Sequence, residues 1–136
     1  MDTLTPEQRS AQMALVKGRD TRPELAVREA LRSLGFRPAH QPKGIPGHPD
    51  YVLRRVMLAI FVHGCFWHRH KACARTRMPK SRVEFWSRKF EDNVRRDRAA
   101  RRALRELGWK VVVIWECQTE NADRLRARLS KHLEAR

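Results

Sequence analysis

The chain has 136 residues, 41% of them hydrophobic, with 30 Lys and Arg against 15 Asp and Glu for a net charge of +15. That apolar content suits one domain spanning residues 1–136 with a real core, and it excludes a disordered tail protein. The charge excess calls for an anionic partner, nucleic acid before a membrane surface, because no segment opposes a basic face to a broad apolar one.

The opening "MDTLTPEQRS" is polar throughout and predicts no signal peptide, and no later run is apolar enough for a membrane span. Thr5, Pro6 and Gln8 read as a capping box that starts a helix running to about Lys17. Thr21 and Glu24 repeat the signal, and Leu25, Ala26, Val27, Ala30, Leu31 and Leu34 follow at mostly helical spacing to a stop at Gly35. Residues 36–49 hold four prolines and two glycines, which predicts extended chain and turns. "YVL" at 51–53 and "VMLAIFV" at 56–62 read as strands joined by a tight hairpin turn at "RR", the second buried on both faces.

Ser81 and Glu84 read as a third capping box, opening a long helix to Leu107 whose apolar side carries Val83, Trp86, Phe90, Val94, Ala100, Leu104 and Leu107. Its middle, "RRDRAARR", reads as exposed. "WKVVVIW" at 109–115 predicts another buried strand, and Leu125, Leu129 and Leu133 mark a last amphipathic helix. The order is that of an α/β fold, a mixed β-sheet flanked by helices.

Between the second strand and the long helix lies "HGCFWHRHKAC". Three cysteines are an odd number, which argues against a disulfide framework and leaves cytosolic thiols or metal ligands. Cys65, His70 and Cys73 are close in sequence, and Cys117 follows the 109–115 strand. If that strand neighbours 56–62, the four make a Cys₃His set suited to structural zinc; otherwise they are unrelated thiols. Asp50 follows a Pro/Gly turn at a strand mouth, where it is either a Mg²⁺ ligand or a solvated turn residue. Glu24 is explained by its cap. His48, His63 and His68 are surface or satisfied residues, or, for the two that flank "GCFW", His63 and His68, proton acceptors beside a metal-binding carboxylate. Phe66, Trp67 and Trp86 are core residues or platforms that stack on bases.

"PGHPDYVL", "IFVHGCFWHRH", "RVEFWSRKFEDNVRRDR" and "LGWKVVVIWEC" resemble, in order and over nearly the whole chain, the very short patch repair (Vsr) DNA mismatch endonucleases. The resemblance implies a restriction-endonuclease-like fold with a structural zinc site, and Mg²⁺-dependent nicking of duplex DNA beside a T·G mismatch left by 5-methylcytosine deamination. It implies Asp50 as the Mg²⁺-binding aspartate, His68 as the catalytic histidine and general base, His63 as its companion, and Glu24 as an acidic residue of the active site. It implies Cys65, His70, Cys73 and Cys117 as zinc ligands and Phe66, Trp67 and Trp86 as a wedge into the duplex. Val62 stands where some relatives carry a hydroxyl, so Mg²⁺ contact there would use its backbone carbonyl. One more residue separates His70 from Cys73 than in a known relative, and the acidic-x-Lys half of restriction-type sites is absent after Asp50. The implied setting is a monomer on double-stranded DNA in the cytoplasm, associated with the nucleoid and with mismatch-repair proteins. The competing expectations are a zinc-stabilised nucleic-acid-binding module without catalysis, and a ribosome-associated protein.

Overall fold

The computed structural model of the protein describes residues 21–133, so the helix expected at 5–17 lies outside the described residues. Helix α1 (Arg22–Ser33) starts as its residues dictate. Glu24 N–H donates to Thr21 Oγ1 at 3.3 Å, and Thr21 N–H donates to Glu24 Oε1 at 3.0 Å. Val27, Ala30 and Leu31 form its buried stripe, and Gly35 ends the turn at φ 91°, a conformation that glycine adopts without strain.

Strands β1 (Ala39–His40), β2 (Tyr51–Leu53), β3 (Leu58–His63) and β4 (Lys110–Trp115) form one sheet in that order. The first two pairings are antiparallel and β3 pairs with β4 in parallel, across a crossover made by helix α2 (Val83–Glu106). Helix α3 (Ala122–Leu133) closes the described chain.

Period-two alternation sends the strand residues to two cores. Tyr51, Leu53, Leu58, Ile60, Val112 and Ile114 pack with α1 and with Leu125 and Leu129 of α3. Val52, Ala59 and Phe61 point the other way, to Leu104 of α2, with Val111 and Val113 packed alongside. Both faces of β3 are therefore covered, which accounts for its unbroken apolar run.

Four local expectations change. The 36–49 stretch includes β1, which Pro38 and Pro42 bracket and which is too short to give a period-two signal. The strand expected at 56–62 begins at Leu58, because Arg54–Val56 form a 3₁₀ turn and Met57 takes φ 53° in place of a tight hairpin. Val56 is apolar because the turn packs it against the first core. The capping box expected at Ser81 does not form: the loop enters α2 through Arg82 at φ 55°, which moves the cap one residue on and leaves it without a side-chain bond. In β4, expected to be buried, only Val112 and Ile114 are; the strand has one neighbour in the described sheet, so its residues alternate.

This topology gathers one end of the sheet. Antiparallel pairing sets the start of β2 beside the end of β3, and parallel pairing sets the end of β4 beside the same point, with His63 opposite Trp115. Asp50, His63 and the segment after Trp115 meet there. No helix among the described residues is long and apolar enough to cross a membrane.

Candidate active site and metal centre

The loop from Gly64 folds back on itself through His68 N–H to Gly64 O (3.1 Å) and His70 N–H to Cys65 O (3.0 Å). It is tied to the end of β4 where Cys65 N–H donates to Glu116 Oε1 at 3.3 Å and the His70 ring stacks on Trp115 at 4.3 Å. The ligand atoms of Cys65, His70, Cys73 and Cys117 then lie within 4.8 Å of one another. His70 Nδ1 is 3.6 Å from Cys65 Sγ and 3.5 Å from Cys117 Sγ. A tetrahedron with Zn–N of about 2.05 Å and Zn–S of about 2.3 Å has an N···S edge of about 3.6 Å, so this donor set fits zinc. Burial, with the neighbouring thiols adding to it, pushes the Cys65 thiol up to about 12. A bound cation relieves that by taking the thiolate as ligand. Between His70 and Cys73 the chain turns at Ala72, whose φ is 57°.

A cleft of about 1010 Å³ opens beside this loop between α1, the sheet end and α2. Tyr51 Oη donates to Glu24 O at 2.9 Å and pins the first turn of α1 over the start of β2. Glu24, 4% exposed, thus serves as cap and cleft wall together. Asp50 Oδ2 accepts the Val62 N–H at 2.7 Å. Burial first, then a hydrogen bond shared with Glu24, pushes the Asp50 carboxyl up to about 8. Two carboxyls joined by a hydrogen bond form an oxygen-rich pair of the kind a hard divalent cation occupies, so Mg²⁺ fits the donors.

Across the cleft, His68 Nδ1 lies 2.7 Å from Asp97 Oδ2. A carboxylate only accepts, so Nδ1 carries the hydrogen, and in the neutral tautomer that fits this bond Nε2 bears the lone pair. His63 stacks on His68 with ring centres 3.9 Å apart, and its Nε2 is 3.9 Å from Asp97 Oδ1. Burial, followed by the neighbouring His68, lowers His63 to about 3, so its ring is neutral.

At the cleft mouth stands a knob of rings. Phe66 meets Trp67 edge-on at 5.1 Å and Phe90 at 5.2 Å, and Trp86 lies 5.8 Å from Trp67. Phe90 is its buried root; Phe66, Trp67 and Trp86 are half-buried, so none is a core residue. Asn93 Nδ2 donates to Trp67 O at 3.2 Å and fixes the loop that carries the knob to α2.

Comparison with known proteins decides the family. Residues 1–75 match the family described as "DNA mismatch endonuclease Vsr". The type II nicking enzyme V.XorIIP of Xanthomonas oryzae pv. oryzae is 44% identical over 133 residues, covering 98% of this chain and 97% of its own. The type II nicking enzyme V.NmeAIP of Neisseria meningitidis is 38% identical over 96% of this chain and 92% of its own. The DNA mismatch endonuclease Vsr of Escherichia coli is 39% identical over 86% of this chain and 74% of its own. The chain belongs to the Vsr family. It is a DNA nicking endonuclease of that family, which leaves the non-catalytic module without support.

The Vsr chain brings every residue singled out in its sequence to this end of the sheet. Glu24, Asp50, Val62, His63, Phe66, Trp67 and His68 line one cleft, the four zinc candidates cluster beside it, and Trp86 stands in the ring knob. Val62 meets Asp50 through its N–H. His48 sits exposed on the rim at φ 54°. Two residues escaped the sequence reading. Asp97 lay in a stretch read as exposed, and Phe85, 45% exposed, extends the knob edge-on to Trp86 at 5.3 Å. Asp97 was detectable: Phe90, Asp97 and Leu104 recur every seven residues, so an acid occupies the buried stripe of α2 and needs a partner there.

Asp97→Asn is expected to keep the fold and lower the nicking rate by about 10²–10⁴, since the amide no longer fixes the tautomer that leaves Nε2 free. Single-turnover nicking against thermal melting checks this. A variant that nicks at the wild-type rate would remove Asp97 from the chemistry.

Proposed function

We propose that this protein nicks one strand of duplex DNA beside a T·G mismatch, using Mg²⁺, and so begins very short patch repair of deaminated 5-methylcytosine. The observation that supports this most is the His63–His68–Asp97 group facing the Asp50–Glu24 pair in one cleft, with the aromatic knob at its mouth.

His68 Nε2 takes the proton of the attacking water, and Asp97 holds the ring and balances the imidazolium that forms. Neutral His63 keeps the His68 ring in place by stacking; its Nδ1 is buried with no hydrogen-bond partner among the described residues, which a bound water or phosphate oxygen would satisfy. Asp50, oriented by the Val62 N–H, would hold Mg²⁺ with Glu24 beside it and the Val62 carbonyl as a further ligand. The chemistry supplied there would be neutralisation of negative charge at the phosphate and the leaving oxygen. Cys65, His70, Cys73 and Cys117 would hold a zinc that stiffens the loop.

Phe66, Trp67 and Trp86 enter the duplex at the mismatch. Unstacking a step costs a few kcal/mol, and less where the pair is already poor, so the wedge reads pairing strength. The basic surface adds affinity without sequence preference. The chain acts as one domain and a monomer in the cytoplasm. The relatives named as type II nicking enzymes favour a second reading, nicking at a fixed duplex sequence with no mismatch preference.

Wild-type preference for T·G over T·A duplex separates the two, and Trp67→Ala tests the wedge. Its ring is half-buried among other rings, so the fold is expected to survive, while the preference for T·G over T·A duplex falls about tenfold as stacking of about 1–3 kcal/mol per base is lost. Thermal melting and affinity for both duplexes at one salt concentration measure this. Unchanged T·G preference in a folded variant would exclude Trp67 as wedge. Early melting with equal weakening on both duplexes would make it a structural residue.

A further inference from the structure

Helix α2 has a second hollow on the flank away from the cleft. Asn93, Arg96, Asp97, Ala100 and Ala103 face the catalytic side. At about 100° per residue, Val94, Arg95, Arg98 and Arg102 lie on the opposite side. They line, with Arg69 and Phe90, a groove of about 670 Å³. A further hollow of about 400 Å³ continues it through Arg98 and Arg102 to Arg101 and Arg105. The acids along this path are Glu91 at one end and Glu106 at the other, and Asp92 pairs with the lining Arg95 at 3.0 Å.

One of these cations is fixed in advance. Arg69 Nη1 donates to Phe66 O and to Arg77 O, each at 3.2 Å, and its guanidinium lies 4.0 Å over the Phe90 ring. It therefore joins the ring knob to the groove. Arg98, Arg102 and Arg105 rise along α2 in steps of about 5–6 Å, a rigid row facing a strand that carries one charge per about 3.4 Å of its axis.

We propose that this arginine groove binds the sugar–phosphate backbone of the uncut strand. The inference rests on the duplex-nicking reading above. A helix with its side chains is about 10–12 Å across, close to the width of about 12 Å of the DNA major groove. With the cut strand's phosphate in the cleft on one flank, the second backbone of the same duplex comes to the other. The enzyme thereby measures two strands across one helix, and single strands leave half of the surface unused.

The test is equilibrium binding in magnesium-free buffer, where no nicking intervenes. Duplexes carry neutral methylphosphonate linkages in either the cut or the uncut strand. Wild-type protein is expected to bind about tenfold more weakly when the uncut strand is neutralised, whereas Arg98→Ala/Arg102→Ala shows no such further loss. The slope of log K against log salt falls by about 1.8 in that variant, at about 0.9 per phosphate contact, and Arg98→Lys/Arg102→Lys retains it. An alanine variant with the wild-type slope, or one still sensitive to uncut-strand neutralisation, overturns the proposal. So does a variant that has lost its response to the cut strand instead. Failure of the wild type to nick T·G duplex, measured separately with magnesium, contradicts the functional reading and not the groove.

Discussion

Asp50→Asn is expected to abolish nicking, by at least about 10³-fold, while the metal-free protein becomes more stable at pH 8. The two effects have one cause. Asp50 lies half-buried beside Glu24 with its carboxyl pushed up to about 8, from the 3.8 it has in an unfolded chain. The folded state then holds a proton that the unfolded state has released, so stability is full below about pH 4 and is lost as pH rises towards about 8. At about 1.4 kcal/mol per pH unit, discounted for relaxation and water entry, the loss at pH 8 is about 2–4 kcal/mol. Asparagine cannot ionise, so it avoids that loss and also removes the carboxylate on which the proposed Mg²⁺ site depends. Chemical denaturation at pH 5 and pH 8 in magnesium-free buffer, beside a nicking assay, checks both. A variant that is inactive and equally destabilised at both pH values would make Asp50 a structural residue.

Loss of zinc is expected to cost the fold more than any single substitution in the cleft. Purified protein should carry one zinc per chain, and Cys117→Ala should lose it. Cys117 lies in the 3₁₀ turn after β4, whereas the other three candidate ligands lie in the loop after β3, so a bound zinc would cross-link two segments that are distant in sequence. A structural zinc site contributes about 10–16 kcal/mol of apparent binding free energy, so losing even part of it exceeds the usual margin of stability. His68 and Trp67 sit in the same loop, and the variant that remains folded should also nick poorly. Metal analysis with thermal melting measures this. Active protein without zinc would contradict it.

How far the sequence could be read depended on how far apart the cooperating residues lie along the chain. The Thr21–Glu24 cap and the apolar runs of β3 and β4 are local patterns, and they place α1 and the centre of the sheet directly. The Cys₃His set needed one tertiary assumption, that the two apolar strands are neighbours, and the parallel β3–β4 pairing supplies it. The Asp97–His68 contact spans 29 positions and was hidden by the arginines around it. Glu24 shows the opposite case: the capping box explains it locally, so the residues alone gave no reason to set that carboxyl beside Asp50, and the resemblance supplied the site. Ser81 and Glu84 matched the same box, but the incoming loop, held by Arg69, reaches α2 through a left-handed Arg82 instead.

The mismatch itself is the central claim, and an end-labelled duplex tests it most directly. Duplexes with T·G and with T·A at one position, in several flanking contexts, are incubated with the protein with and without Mg²⁺, and each strand is followed separately. One nick is expected beside the T of the T·G pair, on that strand only, dependent on Mg²⁺ and at least about 100-fold faster than on T·A. Nicking at equal rates on T·G and T·A duplexes, or nicking that persists without the metal, would contradict it.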